Sequence, residues 1–286
     1  ASLNISISYS TLVNNVAIFW SSNVLYYADT EHFNSSSWQS YTAPAGVIGA
    51  NYFNGRYYIA LDSTNPSIQY TTDFISWQTA NLTRSDTDTA HLHVANNRLY
   101  YVNRHSTRGF VAWTEDGLNW TRIDAPFTSG CSPTVVIYFK GVYIVFGSSL
   151  SYYSVDGKTN WIQITAPLSG SIDSTPPIYN SNVIFARTNI TLPRYYKSYD
   201  GINWELADPT HQWDAYFDKA YYGYVKNDFI HLGFNGYSLI TKDGISYVLE
   251  SIKNQYNSLS YRCRTPPLLG QSTLKFNNSH IAYIWE

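Results

Sequence analysis

Five aspartates share one local pattern that could be read as chemistry. Asp73, Asp116, Asp156, Asp200 and Asp243 each stand two residues after a Ser or Thr, and four of the five directly precede a Gly. A carboxylate beside a hydroxyl is one half of a nucleophilic or acid–base arrangement. Repetition argues against that use, because a reaction needs one such pair and the chain carries five. Each copy also ends in an aromatic, at Trp77, Trp120, Trp161, Trp204 and Tyr247, and a worn copy ends at Trp38. The steps between these aromatics are 39, 43, 41, 43 and 43 residues. A period of about 40 residues marks a repeat architecture.

Other residues could do chemistry by type. Arg84, Arg104, Arg108, Arg187 and Arg194 offer rigid donor forks suited to carboxylate or phosphate. Asp86, Asp88 and Asp214 could approach one another as a carboxylate set for glycoside hydrolysis. Trp213, in DPTHQWDAYF, sits in a loop and could stack on a sugar ring or cover the edge of the core. His91 and His93 alternate on one side of a strand-like run and are read as lining a channel; no third metal ligand accompanies them, and no metal or cofactor is expected. Cys131 and Cys263 form no CxxC pair, lie three repeats apart, and are expected to be unbridged within the chain.

The elements that must position these residues are strands. Residues 133–166 read as TVVIYFK, a KG turn, VYIVFGS, then SYYSVDG and NWIQITA: four short runs rich in Val, Ile, Tyr and Trp, punctuated by Gly, Asn and Asp. The same order recurs over about 5–41, 46–82, 89–125, 175–208 and 216–253, and residues 268–286 repeat its first half. Sustained helical periodicity is absent. Four-stranded antiparallel units of this length suit an all-β propeller forming a single domain over 1–286. Seven blades are expected, the last assembled from both termini; six blades with a tail is the alternative. In such a unit the Asp motif joins the third strand to the fourth. The carboxylate locks the turn by accepting backbone N–H bonds, Gly supplies φ > 0, and the aromatic fills the gap between sheets. Asp73, Asp116, Asp156, Asp200 and Asp243, with Trp77, Trp120, Trp161 and Trp204, are accordingly read as structural.

This turn resembles the Asp-box, S-x-D-x-G-x-T-W, of bacterial neuraminidase-type repeats: SVDGKTNW has the family length, TEDGLNW, SYDGINW and TKDGISY are one residue shorter, and TTDFISW lacks the Gly. The resemblance covers six units and implies a propeller. It implies little about activity, since Asp-box propellers include sialidases, other glycosidases, lectins, sorting receptors and stability factors. The sialidase landmark Arg-Ile-Pro is missing; the one Arg-Ile, Arg122-Ile123, precedes Asp124 in a fourth strand.

Propeller topology then sorts the charges. Arg84, Arg104, Arg108, Arg187, Arg194, Arg262 and Arg264 fall at second-to-third or fourth-to-first connections, whereas Lys140, Lys158, Lys226, Lys242 and Lys275 fall at the opposite turns. The arginine end is the candidate binding surface, for an acidic sugar among other ligands; the same loops carry Asp62, Asp86, Asp88, Asp173, Asp208 and Asp214, so local pairing is the competing account. Of 286 residues only 13% are charged, with a formal net charge of −2, while Tyr numbers 27 and Trp 9. That balance gives no basic footprint for nucleic acid, and no apolar run reaches membrane-spanning length. The chain begins at Ala1 without a signal-peptide pattern, as a processed secreted protein or a fragment would, and six N-x-S/T sequons (Asn4, Asn34, Asn81, Asn119, Asn189, Asn277) are close to chance for this composition. The expected protein is an extracellular, non-catalytic recognition module, lectin-like adhesin or virus or surface-fibre propeller, binding glycan or a surface protein and possible as part of a larger assembly. A sialidase-like glycosidase and an architectural subunit are the alternatives.

Overall fold

The computed structural model describes residues 9–29, 38–65, 67–82, 89–105, 109–127, 131–165, 177–188, 194–207, 222–234 and 237–251. They belong to two compact units, spanning Tyr9–Phe127 and Cys131–Ser251 in their described parts. The composite seventh blade expected from 1–8 and 268–286 lies outside the described residues.

The first unit holds three sheets. The first runs β1 (Tyr9–Val13), β2 (Val16–Ser21), β3 (Val24–Asp29), β4 (Gln39–Thr42). The second runs β5 (Val47–Phe53), β6 (Arg56–Leu61), β7 (Ile68–Thr71), β8 (Gln78–Thr79), and the third β9 (Ala90–Ala95), β10 (Arg98–Asn103), β11 (Phe110–Thr114), β12 (Thr121–Ile123). The second unit repeats the plan. Its fourth sheet is β13 (Pro133–Phe139), β14 (Val142–Gly147), β15 (Tyr152–Ser154), β16 (Ile162–Gln163). The fifth is β17 (Ile178–Tyr179), β18 (Ile184–Thr188), β19 (Arg194–Ser198), β20 (Glu205–Leu206), and the sixth β21 (Tyr222–Lys226), β22 (Phe229–Phe234), β23 (Tyr237–Thr241), β24 (Val248–Ser251). Every sheet is an antiparallel meander in chain order. The described residues include no helix.

Tight turns drive the meander. Asn14-Asn15, Asn54-Gly55, Asn96-Asn97, Lys140-Gly141 and Asn227-Asp228 join first to second strands with positive φ at both residues. This is the twist-matched geometry of a two-residue hairpin, which Asn and Gly tolerate best.

Second strands β6, β10, β14 and β18 are buried on both faces along most of their length. In β6, Tyr57, Ile59 and Leu61 pack with Ile18, Trp20 and Leu25 of the first sheet, while Tyr58 and Ala60 pack with Leu92, Leu99 and Tyr101 of the third. In β18, Ile184 and Ala186 face Val135, Ile137 and Ile144 of the fourth sheet, and Phe185, with Val183 just before the strand, faces Ile230 and Leu232 of the sixth. Side chains alternate with period two, so burial on both faces demands an unbroken apolar run, as in RYYIAL and VIFA. First strands approach one another closely: Asn51 Nδ2 of β5 donates to Leu92 O of β9 at 3.2 Å.

Candidate functional site

Each sheet has two ends. At one end lie the first-to-second turns and the aspartate turns; at the other lie the second-to-third connections.

In each aspartate turn the carboxylate bonds back to its own turn. In the third sheet, Asp116 Oδ1 accepts the N–H of Leu118 at 2.7 Å and of Asn119 at 2.8 Å, and Oδ2 accepts Asn119 Nδ2–H at 2.6 Å. Thr114 Oγ1 donates to Asp116 Oδ1 and accepts Gly117 N–H, both at 2.9 Å. Asp156 Oδ1 takes the N–H groups of Lys158 and Thr159, Asp200 Oδ1 those of Ile202 and Asn203, and Asp243 Oδ1 those of Ile245 and Ser246, all at 2.8 Å. In the second sheet Asp73 Oδ1 takes Ile75 and Ser76 N–H the same way. Bonds donated to the ionised form hold all five carboxyls below the usual carboxylate range; for Asp156 and Asp200 the partial burial, which acts the other way, is outweighed.

The aromatic and glycine positions join one sheet to its predecessor. Trp204 Nε1 donates to Gly201 O at 3.2 Å, and its ring meets Phe146 edge-on at 5.7 Å. Trp77 donates to Phe74 O at 3.1 Å and stacks on Tyr41 at 4.3 Å. Tyr247 keeps the same bond with its hydroxyl, donating to Gly244 O at 2.7 Å. Trp204 alone of the four motif tryptophans is buried; Trp77, Trp120 and Trp161 are half-buried. A Cβ on Gly201, at φ 82°, would come within 2.8 Å of Ile144. The glycine-less copy solves this differently: Phe74 holds φ 61° and inserts its ring against Tyr27 at 4.2 Å and Tyr57 at 4.3 Å.

A second set of bonds at this end carried no sequence signal. The backbone carbonyl just before a motif aspartate accepts from the preceding sheet. Asn54 Nδ2 donates to Glu115 O at 3.4 Å, Lys140 Nζ to Tyr199 O at 3.0 Å, and Asn180 Nδ2 to Lys242 O at 2.9 Å. Lys140 also donates to Asn182 O at 2.7 Å, so this lysine is a stitch between sheets as well as a surface charge. Donors to a carbonyl can be Asn, Lys or Arg, and that freedom hides the pattern from sequence.

The other end carries arginines. Arg104 directly follows β10, Arg187 lies within β18, and Arg194 opens β19 opposite Thr188. Arg187 and Arg194 thus belong to strands and not to loops, because the β18–β19 ladder runs further than the apolar pattern suggested. Arg84, Asp86, Asp88, Arg108, Trp213 and Asp214 lie outside the described residues. His91 and His93 do share a face of β9, with ring centroids 6.2 Å apart. His93 is only 6% exposed, whereas His91 is half-buried. Burial, with the nearby Arg104 charge, pushes His91 down to about 4. Cys131 is a buried free thiol donating to Leu150 O at 3.2 Å, and burial raises its pKa to about 12. No group of three or more metal-ligating side chains occurs among the described residues.

No protein-family model and no curated protein matches the sequence. Solved structures do match by shape. An ancestral GH74 enzyme gives a TM-score of 0.62 at 13% identity, over 86% of this chain and 38% of that one. Streptogramin B lyase gives 0.60 at 12% identity, over 87% of this chain and 85% of its own. The chain is a β-propeller. The extracellular domain of a hybrid two component system from B. thetaiotaomicron matches with 0.61 at 9% identity, over 93% of this propeller and 36% of that chain. The propeller therefore spans well under half of the GH74 enzyme, and identities this low speak to fold alone.

Proposed function

We propose that this propeller is an extracellular, non-catalytic recognition module that binds glycan or a surface protein through its arginine-bearing end. One observation carries the reading. The repeated aspartates are held ionised by backbone N–H groups, so they are poor proton donors, while Arg104, Arg187 and Arg194 sit at the opposite end of their sheets. On this reading the aspartate turns are Asp-box turns, and Asp73, Asp116, Asp156, Asp200 and Asp243 with Trp77, Trp120, Trp161 and Trp204 are structural. The ligand end also includes Arg84, Arg108, Asp86, Asp88, Asp214 and the loop residue Trp213, within one propeller domain over 1–286. Extracellular domains among the structural neighbours support the location.

A glycan array probed with the full chain tests this. Binding to a restricted glycan set is expected, weakened about tenfold or more by Arg104→Gln, as loss of a charge-assisted contact implies. Lys226→Ala, on an exposed side chain at the other end, should leave it unchanged. Release of an aryl glycoside's leaving group would overturn the non-catalytic reading. A second reading, an architectural subunit, is favoured by one feature: Ile75, Leu118 and Ile245, each two residues past a motif aspartate, are exposed at the turn end. It predicts self-association that Ile75→Ser with Ile245→Ser abolishes, and an empty array.

A further inference from the structure

The first two strands of the third sheet bring a set of nitrogen donors to one face. Register pairs His93 with Tyr100 and His91 with Val102, and Arg104 N–H continues the ladder to Thr89 O at 2.8 Å. Residues two apart on a strand share a face. Thr89, His91 and His93 therefore lie on the same face as Tyr100, Val102 and Arg104, opposite Leu92, Leu99 and Tyr101, which pack against the second sheet. Exposure grades along this column: His93 is buried, His91 and Arg104 are half-buried, and Thr89 is exposed.

Among the described residues no carboxylate forms an ion pair with Arg104. His91 stays neutral beside it, so its ring keeps one N–H donor. A guanidinium fork matches the two oxygens of a carboxylate, and the Thr89 hydroxyl and His91 ring stand beside it by register.

We propose that Thr89, His91 and Arg104 form a binding corner for the carboxylate of an acidic sugar of the uronic-acid class. This rests on the reading of the arginine end as the ligand end, and names the ligand chemistry there. Arg104 takes the carboxylate, while His91 and Thr89 hydrogen-bond to it or to the adjoining ring oxygens.

The test follows the His91 ring protons of the full chain by NMR, with D-glucuronate as probe and glucose and inorganic phosphate as comparison arms. A saturable shift with glucuronate alone is expected at up to about 50 mM, well past the millimolar Kd one monosaccharide contact supports. A bound carboxylate favours the imidazolium, so the His91 titration midpoint should rise from about 4 in glucuronate and stay put in glucose. By reciprocity, glucuronate should bind more tightly as pH falls from neutrality toward that midpoint. Arg104→Gln should weaken binding about tenfold or more, and Arg104→Lys, which keeps the charge but not the fork, by less. The Lys variant keeps the test open if the Gln variant does not fold. The absence of any saturable His91 response, or an equal response to glucose, overturns the corner; a response to phosphate and not to glucuronate overturns the carboxylate assignment. If the array shows neutral-glycan binding while His91 ignores glucuronate, this inference fails and the recognition reading stands. An empty array sinks the glycan branch of the recognition reading.

Discussion

Gly117 and Gly55 provide a matched pair for testing how the aspartate turns seat one sheet on the next. Their backbones are nearly identical, at φ 80° and 79°. Their surroundings are not. A Cβ on Gly55 would meet nothing within 4 Å, whereas one on Gly117 would overlap the Tyr58 hydroxyl and come within 2.8 Å of its Cζ. Tyr58 is fully buried in the second sheet, so it has no room to retreat. Gly55→Ala should therefore cost only the left-handed backbone penalty, roughly 1–2 kcal/mol. Gly117→Ala adds overpacking of about 1–3 kcal/mol to the same penalty. At about 2–4 °C per kcal/mol for domains of this size, Gly117→Ala should lower Tm by several degrees more than Gly55→Ala in a thermal melt followed by near-UV circular dichroism. Tyr58→Phe removes the oxygen that the new methyl strikes. It should recover part of the loss in the Gly117→Ala background and recover nothing in the Gly55→Ala background. Equal Tm losses for the two alanines, or no rescue by Tyr58→Phe, would refute the idea that the turn glycine is needed for close approach as well as for its backbone angle.

Thr114→Val keeps the shape of a fully buried side chain but leaves Gly117 N–H without its acceptor, and should cost about 1–3 kcal/mol in chemical denaturation. The turn aspartates have folded pKa values below their unfolded ones, so their contribution is complete above the unfolded value and disappears as pH falls through the folded one. Asp116→Asn should flatten the stability–pH curve below about pH 4, measured as urea midpoints. His91 acts in a different window: its folded pKa of about 4 lies under an ordinary value of 6.5, so the unfolded chain binds more protons between the two and stability rises with pH there. Replacing His91 by Phe should remove a rise of at most roughly 3 kcal/mol across that interval, and an unchanged slope would contradict the buried neutral ring. Cys131, with its thiol pushed up to about 12, should resist a thiol-reactive dye at pH near 8 in a Cys263→Ser background until the protein is unfolded.

The repeat was readable because its physics is local. Asp73, Asp116, Asp156, Asp200 and Asp243 bond to amides two and three residues away, so the residues that make the turn must lie together in the chain. The same holds for the Asn-Gly and Asn-Asn hairpins, whose backbone angles the residue types themselves prefer. The apolar runs of β6 and β18 likewise announce burial on both faces, because a strand exposes its alternation directly in sequence.

Tertiary structure decided what depends on residues far apart. Lys140 and Asn180 stitch sheets through the main-chain carbonyls of Tyr199 and Lys242, and a carbonyl belongs to every residue, so no side-chain pattern could mark the acceptor. Phe74 looked like a lost glycine until Tyr27 and Tyr57 were seen to accommodate its ring. The spacing of His91 and His93 gave one shared face, but only packing against the rest of the sheet fixed how deep each ring lies and placed Arg104 on the same side. Chain-neighbour bonding sets the turns and the strand alternation; the depth of a side chain, and the partner it meets across forty or sixty residues, is a property of the folded layers alone.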